Sequence, residues 1–159
     1  MKNSLVILVV TLLFACGKSN EMEEQYNLDV GLEFSVLNSQ NEDILNPENP
    51  NHLDVANIKL LYVINGEKQE VYNPNLDNPR NFMIYKHENE YRIKITLNHS
   101  ETSGKSITYI QWNDSDVDTI EVNINRTQNS ILQDEIWLNG KQVWQRGDNT
   151  IDPYFVLRK

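Results

Sequence analysis

A period of two in the hydrophobic pattern constrains this chain more than any other feature. Leu28, Val30, Leu32, Phe34 and Val36 alternate with Asp29, Gly31, Glu33 and Ser35, which places one set on each face of an extended strand with one face buried. The same signature recurs at Tyr91, Ile93, Ile95 and Leu97, interleaved with Arg92, Lys94 and Thr96, and at Ile120, Val122 and Ile124, interleaved with Glu121, Asn123 and Asn125. Strands of a parallel sheet are covered on both sides and read as continuous apolar runs, so the alternation predicts antiparallel pairing. No segment keeps a helical period over three turns.

Two turns set the register. Asn65-Gly66 and Asn139-Gly140 each separate β-forming segments, and Asn-Gly suits the two-residue hairpin whose central residues both need positive φ. The first pairs Ile64 with Glu67, Tyr62 with Gln69 and Leu60 with Val71, so that Ile58, Leu60, Tyr62, Ile64 and Val71 share the core face. Further strands are expected near residues 81–87, 106–112, 131–138, 141–146 and 153–158. Nine or ten short strands in one domain predict an all-β antiparallel β-sandwich, Ig-like or transthyretin-like in arrangement.

Two connections are rich in Asn-Pro: Asn46-Pro47-Glu48-Asn49-Pro50-Asn51, inside a connection from Asn38 to Asn57, and Asn73-Pro74 through Asn78-Pro79. Proline fixes its own φ and restricts the residue before it, so both segments are expected to be more ordered than their polarity suggests. Long connections serve either as binding loops or as rigid crossovers; the crossover is the commoner case.

The beginning of the chain carries an address. Lys2 precedes an apolar run from Leu5 to Phe14 that ends at Ala15-Cys16; this is the layout of a lipoprotein signal peptide, and the run is too short for the about 20 residues of a membrane span. Residues 1–15 are therefore expected to be cleaved, with Cys16 lipidated and residues 16–27 forming an acidic tether to a single domain over 28–159. Several acyl chains on one cysteine anchor a protein stably where one does not. The chain holds one cysteine, so lipidation leaves none for a disulfide or a thiolate metal site. With 23 acidic against 14 basic residues and a net charge of −9, the surface repels phosphate backbones, and nucleic acid is excluded as a partner.

Three groups of residues are candidates for chemistry. Asp114, Asp116 and Asp118 present oxygens at alternate positions as a calcium loop does, but Thr119 and Asn125 stand where such a loop needs Gly and a bidentate Glu, so an Asx-rich turn is favoured over a metal site. The second hairpin, if regular, places Trp137, Trp144, Gln142 and Glu135 on one face, opposite Ile136, Leu138 and Val143. An exposed tryptophan face would make a platform for sugar rings; a buried one would be ordinary core, which is the commoner fate of tryptophan. His52, His87 and His99 form no ligand-spaced pair, and neither a phosphate loop nor a nucleophile elbow is present, so catalysis is not expected. No cofactor is implied.

The motifs Leu45-Asn46-Pro47, Ile64-Asn65-Gly66-Glu67, Tyr72-Asn73-Pro74, Tyr109-Ile110-Gln111-Trp112-Asn113, Asp118-Thr119-Ile120 and Trp137-Leu138-Asn139-Gly140 together resemble a group of small, uncharacterised Bacteroidetes lipoproteins. The resemblance implies an outer-membrane lipoprotein, surface-exposed or periplasm-facing, with a β-sandwich domain. It also makes Asp118-Thr119-Ile120 look like an O-glycosylation triplet with Thr119 as acceptor. The function expected is a non-enzymatic binding module for carbohydrate or an envelope protein; a structural or assembly subunit of an envelope complex is the alternative, and a small hydrolase the third. Cys16→Ser is expected to release the protein from the membrane fraction while its circular dichroism stays that of the folded domain. Retention in the membrane would contradict the anchor.

Overall fold

The computed structural model describes residues 26–101, 104–148 and 154–159; Cys16 and the segment before it lie outside the described residues. Eleven strands are present there: β1 (Asn27–Asp29), β2 (Gly31–Leu37), β3 (Lys59–Ile64), β4 (Glu67–Glu70), β5 (Phe82–His87), β6 (Glu90–Thr96), β7 (Ser106–Asn113), β8 (Asp116–Thr127), β9 (Ser130–Leu138), β10 (Lys141–Gln145) and β11 (Tyr154–Arg158). A short 3-10 helix at Val55–Asn57 precedes β3. Sheet A runs β1-β9-β8-β7-β3-β4 with β10 also on β9, and sheet B runs β11-β2-β6-β5. Pairing is antiparallel except for β1 on β9 and β11 on β2. The chain is a β-sandwich, the class that the alternation predicts.

The apolar positions of the alternating segments meet between the sheets. Leu32, Phe34, Val36, Ile93 and Ile95 come from sheet B, and Leu60, Ile110, Trp112, Ile120, Val122 and Ile136 from sheet A, all essentially without solvent contact. Phe34 stacks on Phe155 of β11 at 4.8 Å and meets Trp112 edge-on at 6.3 Å between ring centroids. Each such side chain contributes about 1.5–3 kcal/mol by leaving water. The first hairpin has the expected register, Ile64 opposite Glu67 and Tyr62 opposite Gln69, with Asn65 and Gly66 at φ 53° and 82°.

One alternating segment does not form a single strand. The chain leaves sheet A after Asp29 and enters sheet B at Gly31, so β1 lies on the outer edge of β9 and Leu28, expected inside, is 51% exposed. Alternation continues through the step because Val30 is buried between the two segments. The amide of Gln133, in β9, donates to the Gly31 carbonyl at 2.8 Å and ties the step to sheet A.

Both Asn-Pro connections are crossovers between sheets, from β2 to β3 and from β4 to β5. Their asparagines satisfy the backbone locally: Asn46 accepts from the Glu48 amide at 3.0 Å, Asn49 from Asn51 at 2.9 Å and Asn73 from Asn75 at 3.1 Å. Such Asx turns give polar loops a fixed course, and Ile44 and Leu45 of the first crossover are drawn into the core.

Candidate functional site

The second hairpin departs from the regular register, and with it the tryptophan platform. Lys141 and Gln142 pair with Leu138 and Trp137 as expected, but Trp144 then pairs with Ile136, leaving Val143 as a bulge. An extra residue reverses the parity of every side chain beyond it. Trp144 therefore turns inward with Ile136 and is 8% exposed, while Trp137 stays on the outer face beneath the Lys105 ammonium, 3.5 Å from its ring centroid. The bulge resolves the conflict between two apolar faces by burying Ile136 and Trp144 together. Glu135 accepts from the Asn123 amide at 2.7 Å, and the exposed Gln142 donates to Gln145 at 3.1 Å. These four residues do not form one binding face.

The aspartate run is a joint between the sheets. Asn113 accepts from the backbone and hydroxyl of Ser115 at 2.9 and 3.0 Å, closing the Asx turn that contains Asp114. Asp118 lies in the ladder facing inward, and its carboxylate accepts from the Trp112 indole at 2.7 Å, the Asn139 amide at 2.8 Å and the Lys159 ammonium at 2.8 Å. Asp116 also binds that ammonium at 2.8 Å, so the two acids that converge are Asp116 and Asp118, and they converge on a lysine. Burial pushes the Asp118 carboxyl up, but the three donors outweigh it and hold it below its ordinary 3.8. Among the described residues no group of three His, Cys, Asp or Glu side chains is arranged to hold a metal ion. Thr119 is half-buried in mid-strand, its backbone tied on both sides to Asn139 at 2.9 and 2.8 Å.

The outer face of sheet B carries a polar layer. Arg92 binds Glu33 at 2.9 Å and Glu90 at 2.6 Å, its guanidinium lies 4.1 Å over the Tyr154 ring, and Tyr154 donates to Glu90 at 3.0 Å. Burial opposes ionisation of Glu33, but hydrogen bonds from Tyr85 and Arg92 hold it below the usual carboxylate range; Glu90 is lowered in the same way by Arg92 and Tyr154. Burial and donation to Glu33 push the Tyr85 hydroxyl up to about 12. His52 and His99 each bind a nearby backbone carbonyl, at 2.8 and 3.1 Å.

A cleft that no sequence motif marks opens along β5. On its inner side a hollow of about 420 Å³ is lined by Leu45, Pro47, Val55, Phe82, Ile84 and Tyr91, among others. On its outer side a second, of about 410 Å³, lies between Leu76-Asp77-Asn78 and the outward residues Met83, Lys94 and Thr96. The two Asn-Pro crossovers thus meet at one place. Arg80 fixes the junction: it donates to the carbonyls of Val55, Ala56 and Ile58 at 3.0, 3.2 and 3.1 Å and lies 5.1 Å over the Phe82 ring. Asn81, at φ 55°, donates to the Tyr62 hydroxyl at 3.2 Å, which in turn donates to the Thr96 carbonyl at 2.6 Å. No run in the sequence singles this strand out: Phe82-Met83-Ile84-Tyr85 is unbroken, but so are Leu60-Leu61-Tyr62-Val63-Ile64 in β3 and Tyr154-Phe155-Val156-Leu157 in β11.

Comparison with protein-family models, with curated proteins and with solved structures finds no match for the chain.

The bulge yields a direct test. Trp144→Ala is expected to cost about 3–5 kcal/mol in denaturant unfolding, the range for a large aromatic removed from a core. A loss below roughly 0.5 kcal/mol, the range for exposed sites, would restore the regular register and the tryptophan platform.

Proposed function

We propose that the chain is a lipid-anchored, non-enzymatic recognition domain of the bacterial cell envelope that binds a protein ligand in the cleft along β5. The observation that carries this reading is the convergence of two ordered crossovers on an exposed apolar strand, which gives a concave, largely apolar site framed by fixed polar groups, the usual form of a binding site. A protein ligand is favoured over a glycan because the paired indoles that would stack on a sugar point to opposite faces. Envelope placement rests on the segment from Lys2 to Cys16 and on the resemblance to small Bacteroidetes lipoproteins.

The non-enzymatic reading is supported by the state of the carboxylates. A two-carboxylate hydrolase needs one acid with a raised pKa to protonate the leaving group; Glu33, Glu90 and Asp118 are lowered, so none of these three is placed for that role. Their donors belong to neighbouring strands and to the segments that end them, which is the arrangement of polar contacts that hold strands together.

Site-specific photocrosslinking in the protein's own host cells tests the cleft. A crosslinking residue at Met83, which is 40% exposed, is expected to give a discrete adduct, and one at Gln69, exposed on β4 of the other sheet and lining neither hollow, is expected to give none. Equal labelling from both positions, or none from Met83, would contradict the reading.

A further inference from the structure

One reactive dipeptide occurs twice in this chain, and the two copies differ in what holds the side chain. Glycine follows asparagine at Asn65-Gly66 and at Asn139-Gly140. A glycine has no Cβ to shield its backbone nitrogen, and that nitrogen is the nucleophile that can close on the preceding carboxamide. The two backbones are alike: the asparagines lie at φ 53° and 51°, the glycines at 82° and 79°, and both asparagines are exposed. In a two-residue hairpin the flanking residues carry the ladder bonds, so neither glycine N–H is spent within its turn.

The side chains are not alike. Asn139 Oδ1 accepts from the Thr119 amide at 2.9 Å, and its Nδ2 donates to the Asp118 carboxylate at 2.8 Å. Its backbone N–H donates in turn to the Thr119 carbonyl at 2.8 Å, so the whole residue is clamped to β8. At Asn65 the bond is made by the backbone, whose N–H donates to the Glu101 carboxylate at 3.2 Å, and the carboxamide itself makes none among the described residues. To reach Gly140 the Asn139 carboxamide must first let go of Thr119 and Asp118. The Asn65 carboxamide has nothing to release.

We propose that Asn65 is a site of spontaneous deamidation in the folded protein, and that the Asp118 joint keeps the same chemistry from proceeding at Asn139. The Gly66 nitrogen attacks Asn65 Cγ; the new C–N bond forms as the Cγ–Nδ2 bond breaks, and ammonia leaves carrying the proton that Gly66 gave up. Water then opens the cyclic imide, giving aspartate where it cleaves the new bond and isoaspartate where it cleaves the original peptide bond. The net change is amide plus water to acid plus ammonia, with no oxidant or cofactor. At Asn139 the product would set a second carboxylate against Asp118, and like charges at that distance repel. At Asn65 the added charge falls on an exposed turn leading into β4, whose four residues are all exposed, so the core is untouched. The site is separate from the β5 cleft and does not depend on what the cleft binds.

The test incubates the full-length protein in detergent micelles at mildly alkaline pH and follows both asparagines by mass spectrometry. They fall in separate tryptic peptides, 60–68 and 127–141, so each rate is read on its own. In the folded protein aspartate and isoaspartate are expected at residue 65. Asn139 is expected to convert roughly tenfold or more slowly, since its carboxamide must first break one neutral and one charge-assisted hydrogen bond. In denaturant the two rates are expected to converge. No conversion of Asn65 in the folded protein, or equal rates there, would overturn the proposal. Asp118→Leu removes the acceptor of the Asn139 amide and is expected to raise the rate at residue 139 alone; a folded variant with an unchanged rate would overturn the role of the joint. Should that variant fail to fold, exchange of the side-chain amide protons in the native protein decides the same point: slow exchange at Asn139 beside free exchange at Asn65 is expected, and equal exchange would overturn it.

Discussion

Everything in this fold depends on keeping one dry layer between two sheets while the chain crosses repeatedly from one to the other. Asp118 is the carboxylate that this layer admits, and it is tolerated because donors from three separate elements reach it: Trp112 of β7, Asn139 of the β9–β10 turn and Lys159 after β11. Removing charge from water costs several kcal/mol per ion unless such partners are in place. The joint therefore ties the end of sheet B to the middle of sheet A. Gln133 at the Gly31 step and Tyr62 of β3, which reaches the Thr96 carbonyl at the end of β6, act similarly at other seams, so the sheets are held in one relative position by side chains that cannot be satisfied in another.

That fixed frame is what makes the cleft. The crossovers must span from sheet to sheet, and their Asx turns and the Arg80 contacts give them a set course, so the space beside β5 is bounded by ordered walls. Ordering them costs conformational entropy on folding rather than on binding, which favours tight recognition by a small domain. The polar layer of Arg92, Glu33, Glu90 and Tyr154 occupies much of the remaining outer face of sheet B, so the apolar surface near Met83 borders on committed ion pairs.

Strand positions were legible wherever a local rule decides them. Alternation located β2, β6 and β8, and the two Asn-Gly turns located two hairpins with their first pairs in register. The tryptophan face was not legible, because one bulge at Val143 reverses Trp144, and whether a strand bulges depends on what packs against both of its faces. Leu28 failed for a related reason: the alternation passes unbroken through Val30 although the chain changes sheets there. At the aspartates, the sequence indicated an Asx turn but not the lysine, which arrives from 41 residues away. The cleft was written only as two Asn-Pro segments, and their meeting is a consequence of the topology.

The central claim is that a charged, fully partnered Asp118 locks the two sheets together. Its pKa is lower in the folded protein than the ordinary 3.8, so its contribution is present above that value and is lost as the pH falls through the folded-state pKa. The measurement is the unfolding free energy of the native protein and of Asp118→Asn across the acid range. The expected result is a deficit of about 3 kcal/mol at neutral pH that narrows as the pH drops below 3.8, where the native carboxylate is itself protonated. A deficit that stays constant across the whole range, or none at neutral pH, would contradict the account.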